Sequence, residues 1–171
     1  MQNPTNQAVN FGPYLLKRGG RTLAKSLSFC LPYGSYLEVL GANGAGKTSL
    51  LRALAGLGGE AKDAHEYGAS TFYFSHQPGF RPELTVMAQL TLSLQMLGVP
   101  AQQEALQQRL KALGLHSLQF AQIRTLSHGQ GKRLALLIMM LSQRSLWLID
   151  EPLNALDSQA SALFEDALKQ H

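Results

Sequence analysis

One cysteine, Cys30, is all that 171 residues contain. A disulfide framework within the chain is therefore excluded, and a reducing compartment suits it. Long hydrophobic runs are also missing. The longest unbroken one is Leu134–Leu141, LALLIMML, far short of the roughly 20 residues that carry a helix across a bilayer. The N-terminal stretch MQNPTNQAVNFGPY is polar and has no apolar centre, so it does not read as a secretory signal. Excess charge of one sign is scarce: the net charge is +4 and the basic residues are scattered, so charge alone indicates no nucleic-acid stripe and leaves room for a weakly anionic surface partner. None of the five histidines stands at a metal-ligand spacing from another, and no internal repeat is found. The expected protein is soluble, or sits on a membrane through another subunit without inserting into it.

Apolar residues make up 45% of the chain, ordinary globular usage and enough for one domain with a core. Met1–Asn10 reads as a loose lead-in. Leu27–Phe29 and Tyr36–Leu40 read as short strands around the turn LPYGS. Ser49–Leu57 is a helix stopped by Gly58-Gly59, and EAKDAHEYGA is a polar connector. Thr71–Ser75, rich in aromatic residues, is a buried strand. Helices follow over Leu84–Leu97, with Thr85 as cap and Gly98–Pro100 as stop, and over Gln102–Leu113 and Gly131–Leu141. Leu146–Ile149 is a strand and Ser158–Gln170 a helix. Alternating strands and helices predict an α/β fold with a mainly parallel sheet, and the strand-free stretch 82–125 predicts a helical insertion.

The densest chemical signal is GANGAGKTSL, Gly41–Leu50, between an apolar stretch and a helix. Gly41, Gly46, Lys47 and Thr48 match G-x-x-x-x-G-K-[ST]. Glycines let successive backbone N–H groups turn onto phosphate oxygens, and the following helix points its positive end at them. The residues from Gly41 through Asn43, Gly44, Ala45, Gly46, Lys47 and Thr48 to Ser49 are thus expected to hold the phosphates of a nucleotide. Lys47 neutralises the β- and γ-phosphates, and the Thr48 hydroxyl ligates Mg²⁺. The second signal is SLWLIDEP, Ser145–Pro152, an apolar strand ending in two carboxylates. Asp150 emerges at the carboxyl edge of the sheet, where it can join the Mg²⁺ shell. Glu151 can orient and deprotonate a water. Together the two mark a P-loop NTPase.

A third stretch, LSHGQGKRLALLIMML at Leu126–Leu141, resembles the signature of ABC ATPases, L-S-G-G-Q and its helix. HQPG, His76–Gly79, resembles that family's Q-loop, and LNALD, Leu153–Asp157, its D-loop. The resemblance extends from about Tyr14 to His171. Within the family, RTLAKSLSFCL, GANGAGKTSLLRALAGL and HQPGFRPELTVMAQL are most similar to the ATP-binding subunits of haem exporters in cytochrome c maturation. The resemblance implies a single nucleotide-binding domain over 1–171, with ATP and Mg²⁺ as cofactors. It implies a head-to-tail homodimer in which Ser127, Gly129 and Gln130 meet the nucleotide of the second subunit. Gln77 would touch Mg²⁺ and the water and would act with Glu151 in catalysis. Phe80–Met96 would dock integral membrane transporter subunits at the cytoplasmic face of the inner membrane. No nucleic-acid partner is implied.

The chain departs from the family pattern in four places. His128 stands where a small residue is usual. Arg18, in KRGGR, lies near the position of an adenine-stacking aromatic, and a guanidinium can stack on a base; Tyr14 is close but misplaced, and a solvated basic turn is the plain alternative. The connector from Leu57 to Thr71 is short, so a hairpin arm there should be abbreviated. The chain stops at His171 after EDALKQ, without the strand and switch histidine of the family, which predicts a central gap in the sheet and a truncated product. That leaves hydrolysis in question. A non-hydrolysing assembly subunit and a soluble ABC ATPase of DNA repair or translation stand as the alternatives.

Overall fold

The computed structural model describes residues 8–18, 21–57, 70–75, 77–151 and 158–171. They divide into two compact units, Met1–Tyr73 and Phe74–His171.

In the first unit, β1 (Ala8–Arg18) and β2 (Arg21–Pro32) form an antiparallel hairpin running from the pair Ala8–Pro32 to the pair Arg18–Arg21. Phe11 is buried and stacks on Phe29, its partner in register, with ring centroids 4.6 Å apart. Helix α1 (Lys47–Leu54) packs against β1. Its buried residues Leu50, Ala53 and Leu54 recur at the spacing that lines one helical face. The helix ends at Ala55, and Gly56, at φ 72°, supplies the left-handed residue that closes it. The stop thus comes before Gly58-Gly59, which lie outside the described residues, as does the connector 60–69.

Three expectations are corrected here. Ala8–Asn10 belong to β1 rather than to a loose lead-in, and the strand expected at Leu27–Phe29 is the far part of a longer β2. Tyr36–Leu40 is not a strand. After Pro32 the chain turns through Tyr33-Gly34, and the Ser35 N–H and hydroxyl both donate to the Pro32 carbonyl. No described strand then runs beside 36–40, and Tyr36 and Leu40 are 89% and 79% exposed. Strand propensity expresses a fit to neighbours, and a short apolar stretch alone does not supply them.

β3 (Thr71–Phe74) ends with the first residue of the second unit. That unit continues with α2 (Val86–Met96), α3 (Gln103–Ala112), α4 (His128–Leu141), β4 (Leu146–Ile149) and α5 (Ser158–Gln170). The Asp150 N–H donates to the Phe74 carbonyl over 2.9 Å, at the point where β4 joins β3 in one sheet. Helix α4 is the centre of the core. Leu134, Ala135, Leu136, Leu137, Ile138 and Met139 are all buried, so the helix is apolar all round at this level, and α2, α3 and α5 pack on it.

Helix ends in this unit are closed by named groups. The Thr85 hydroxyl caps α2 by accepting the Ala88 N–H. The first-turn N–H groups of Val86 and Met87, which no helical carbonyl can reach, donate to the carbonyls of Ala121 and Gln119. Thr85 and Gln122 meet in an antiparallel bridge, so the segment carrying α2 and α3 leaves and returns at one place. At the other ends, Arg144 donates to the Leu97 carbonyl (3.0 Å) and Arg133 to the Leu113 carbonyl (3.1 Å), the C-cap residues of α2 and α3. Cations there also complement the negative ends of both helices.

Candidate functional site

The glycine-rich loop Gly41–Gly46 leads directly into α1, whose N-cap is Gly46 in the left-handed region (φ 104°). No side chain caps this end, in contrast to the capped starts of α2 and α4, and its first turn, like theirs, holds no acidic residue. The first N–H groups of the helix lie outside its ladder, and the dipole leaves positive potential there. A turn closed by the Ala45 N–H on the Ala42 carbonyl bends the loop around that end. Gly44 is also left-handed, at φ 83°, and a Cβ on it would meet no atom within 4 Å, so its requirement is conformational. The Lys47 ammonium donates to the carbonyls of Gly41 (2.6 Å) and Ala42 (3.1 Å), folded over its own loop. Asn43 and Thr48 are exposed, and Ser49 is half-buried. An uncapped helix start, a glycine turn and a lysine held on neutral acceptors fit a polyphosphate anion.

The second set of residues belongs to the other unit. Asp150, at the end of β4, is 4% exposed, and Glu151 beside it is exposed and left-handed at φ 50°. Such a backbone is uncommon for a residue with a side chain. Lys132 of α4 is fully buried, and its ammonium donates to the Glu151 carbonyl over 3.0 Å. Burial holds Lys132 below the ordinary lysine pKa, while the charges of Glu151 and Asp150 push it back up. Lys132 was not singled out by sequence reasoning. The one local signal is a lysine just ahead of an unbroken apolar helix.

Ser127 is the N-cap of α4. Its hydroxyl accepts the Gln130 N–H (3.2 Å) while the Gln130 side chain accepts the Ser127 N–H (2.8 Å), a reciprocal capping box. The helix therefore begins at His128, three residues before the expected Gly131. The cap uses the hydroxyl as an acceptor, which leaves its proton for a second partner. Gly129, in the first turn, has an N–H beyond the reach of the helical ladder. His128 is exposed. Gln77 follows β3 as an exposed residue whose N–H donates to the Ser75 hydroxyl. Residues 152–157, with the D-loop stretch Leu153–Asp157, and His76 lie outside the described residues. Arg18 pairs with Arg21 in the last pair of the hairpin. Lys47, Thr48 and the glycine loop thus fall in one unit, and Gln77, Ser127, Gly129, Gln130, Asp150 and Glu151 in the other.

Residues 24–154 match the model of the ABC transporter family. The chain is 36% identical to the cytochrome c biogenesis ATP-binding export protein of Cupriavidus pinatubonensis, over 95% of this chain and 80% of that protein. It is 39% identical to the protein of the same description from Methylococcus capsulatus, over 90% of this chain and 80% of the other. Among solved structures, it resembles an ABC transporter ATP-binding protein from Pyrococcus furiosus with a TM-score of 0.78 at 15% identity, covering 96% of this chain and 85% of that one. The ATP-binding subunit of an ABC transporter gives a TM-score of 0.77 at 20% identity, covering 90% and 70%. Both likenesses speak for the shared α/β fold. Among the described residues, no helix is long and apolar enough to cross a membrane.

Proposed function

The chain belongs to the ABC transporter family, and from that premise we propose that it is an ATP-hydrolysing subunit of a membrane export complex of the cytochrome c biogenesis type. The observation that carries the reading is the glycine turn at the uncapped start of α1, with Lys47 closed over it. The curated relatives' description as ATP-binding export proteins supports the choice of process.

In this reading 1–171 forms one nucleotide-binding domain with its helical part at 82–125. The backbone N–H groups of Gly44, Ala45, Gly46, Lys47, Thr48 and Ser49 take up the phosphates, and Gly41 and Asn43 frame them. Lys47 exchanges two neutral carbonyls for anionic oxygens, a gain because the ammonium then meets an opposite charge as well as an acceptor. Thr48, Gln77 and Asp150 are the proposed Mg²⁺ ligands. The ion supplies positive charge to the β- and γ-phosphate oxygens when bound. Glu151 accepts a proton from the water that attacks the γ-phosphorus, as the bond to the bridging oxygen of ADP breaks. Gln77 orients that water. The Ser127 O–H and the Gly129 N–H donate hydrogen bonds to the γ-phosphate held by a second copy, with Gln130 keeping Ser127 in place. The membrane subunits dock on the segment around Phe80–Met96, which places the chain at the cytoplasmic face of the inner membrane.

Nucleotide binding and phosphate release measured on one preparation test the proposal, together with copurification with membrane subunits. Binding with phosphate release, in a membrane-bound complex, is the expected result. Binding without release favours an assembly subunit that does not hydrolyse. Copurification with polynucleotide in place of membrane subunits favours a soluble ATPase.

A further inference from the structure

We propose that Lys132 is the positioning residue for Glu151, fixing through the backbone the direction in which its carboxylate leaves the sheet edge. The proposal rests on the reading of Glu151 as the base.

Three observations support it. Lys132 is fully buried, although lysine is among the residues least often buried, and an ammonium in the interior is costly unless an acceptor meets it. The acceptor is the main-chain carbonyl of Glu151, 3.0 Å away. Glu151 is itself in the left-handed region, at φ 50°, where a side chain is held by its surroundings rather than by its own preference. On its other side the turn is anchored by the Asp150 N–H on the Phe74 carbonyl. Those two bonds hold the Asp150 N–H and the Glu151 carbonyl, the groups on either side of the peptide that joins the two residues. The Cα–Cβ bond of Glu151 is thereby aimed.

The anchor is rigid. Lys132 stands just before the buried run Leu134–Met139 of α4, so its stem cannot shift without moving the core. Ser127 caps the same helix five residues earlier, about 7.5 Å along the axis. One helix therefore carries both the serine proposed to meet a second copy's nucleotide and the lysine that sets this copy's base. A displacement of the helix start would reach Glu151 through a single hydrogen bond.

The test compares the parent with K132M and K132R in the complex with its membrane subunits. Methionine keeps the apolar stem and removes the donor; arginine restores a donor. With K132M, kcat should fall about 10- to 100-fold, the scale of misplacing a catalytic group. KM for ATP and nucleotide affinity should hold at the parental values, and K132R should recover part of kcat. In an E151Q background K132M should cost nothing further, because the two act through one group. A K132M protein that melts as the parent does but hydrolyses at the parental rate overturns the proposal. So does an equal loss of kcat in the E151Q background. The carbonyl ¹³C resonance of Glu151 provides a readout independent of turnover. It should shift in K132M and return toward the parental position in K132R. A parent that binds ATP but releases no phosphate would refute the ATPase reading, and Lys132 would then be judged on this resonance alone; an unmoved resonance refutes the anchor.

Discussion

Around Gly41–Lys47 the contacts come from the main chain: an N–H on a carbonyl closes the turn, and the one side chain taking part donates to two more carbonyls. Around Ser127–Glu151 side chains do the holding, with a serine and a glutamine exchanging bonds at a helix start and a buried lysine anchoring a strand end. The first region can change most of its side chains and keep its shape, provided glycine stays where φ is positive and a cation stays at 47. The second has few residues to spare, because each bond belongs to a particular side chain. A site built on amides suits an anion of any source; a site built on side chains can be tuned to one step.

Substitutions can break this contrast, and the largest effect is expected at the strand end. Glu151→Gln should lower ATP hydrolysis by ~10²–10⁴ while nucleotide binding persists, the usual loss for a general base. Phosphate release at the parental rate in that variant would remove Glu151 from the chemistry. Lys47→Ala should weaken ATP binding by about 10- to 100-fold, the value of a charged hydrogen bond, with melting unchanged. Titration with a fluorescent ATP analogue decides it, and unaltered affinity would leave the amides as the whole site.

Ser127→Ala tests the side-chain plan without touching any proposed base. Loss of the cap should cost about 1 kcal/mol of stability, read by denaturant unfolding. The equivalent change at Ser49, which caps no helix, should cost less. Equal costs would erase the distinction.

The smallest effect concerns His171, whose ring stacks on Trp147 of β4 with centroids 3.8 Å apart. Burial lowers the pKa of this histidine, against a raising hydrogen bond with the Ser145 backbone. A lowered folded-state pKa favours the neutral ring, so its contribution to stability is present above 6.5 and declines as pH falls from there toward the folded-state value. Trp147 is the only tryptophan, so its fluorescence reports the stack. Acidification from pH 7.5 to 5.5 should change that emission, and His171→Ala should flatten the response.

The parts of the fold legible in the sequence are those fixed by neighbours in the chain. β4 and α5 occupy the expected residues, and Thr85 caps α2, because an apolar tetrad, a helical period and a hydroxyl ahead of a helix are local signals. The hairpin β1–β2 was mostly hidden: Gly12-Pro13 interrupts its first strand, and its register shifts break the alternation a reader looks for. The strand expected at Tyr36–Leu40 failed in the opposite way, since its pattern was right and its partner is not among the described strands. At the site, the glycine loop and the carboxylates were legible because their spacing is their chemistry. Lys132 was not, because its acceptor stands nineteen residues along the chain and only folding brings the two together.

The bridge between Thr85 and Gln122 gives the helical segment a narrow stem. In an antiparallel bridge the two α-carbons lie about 5 Å apart, a gap that a short turn can span. Everything between them, α2 and α3 included, joins the chain at that stem and rests on α4. The segment can be exchanged as a unit while the two ends keep their places, provided the face toward α4 stays apolar. With the membrane partners met on its outer side, a change of partner needs a new outer face and leaves the phosphate chemistry as it was.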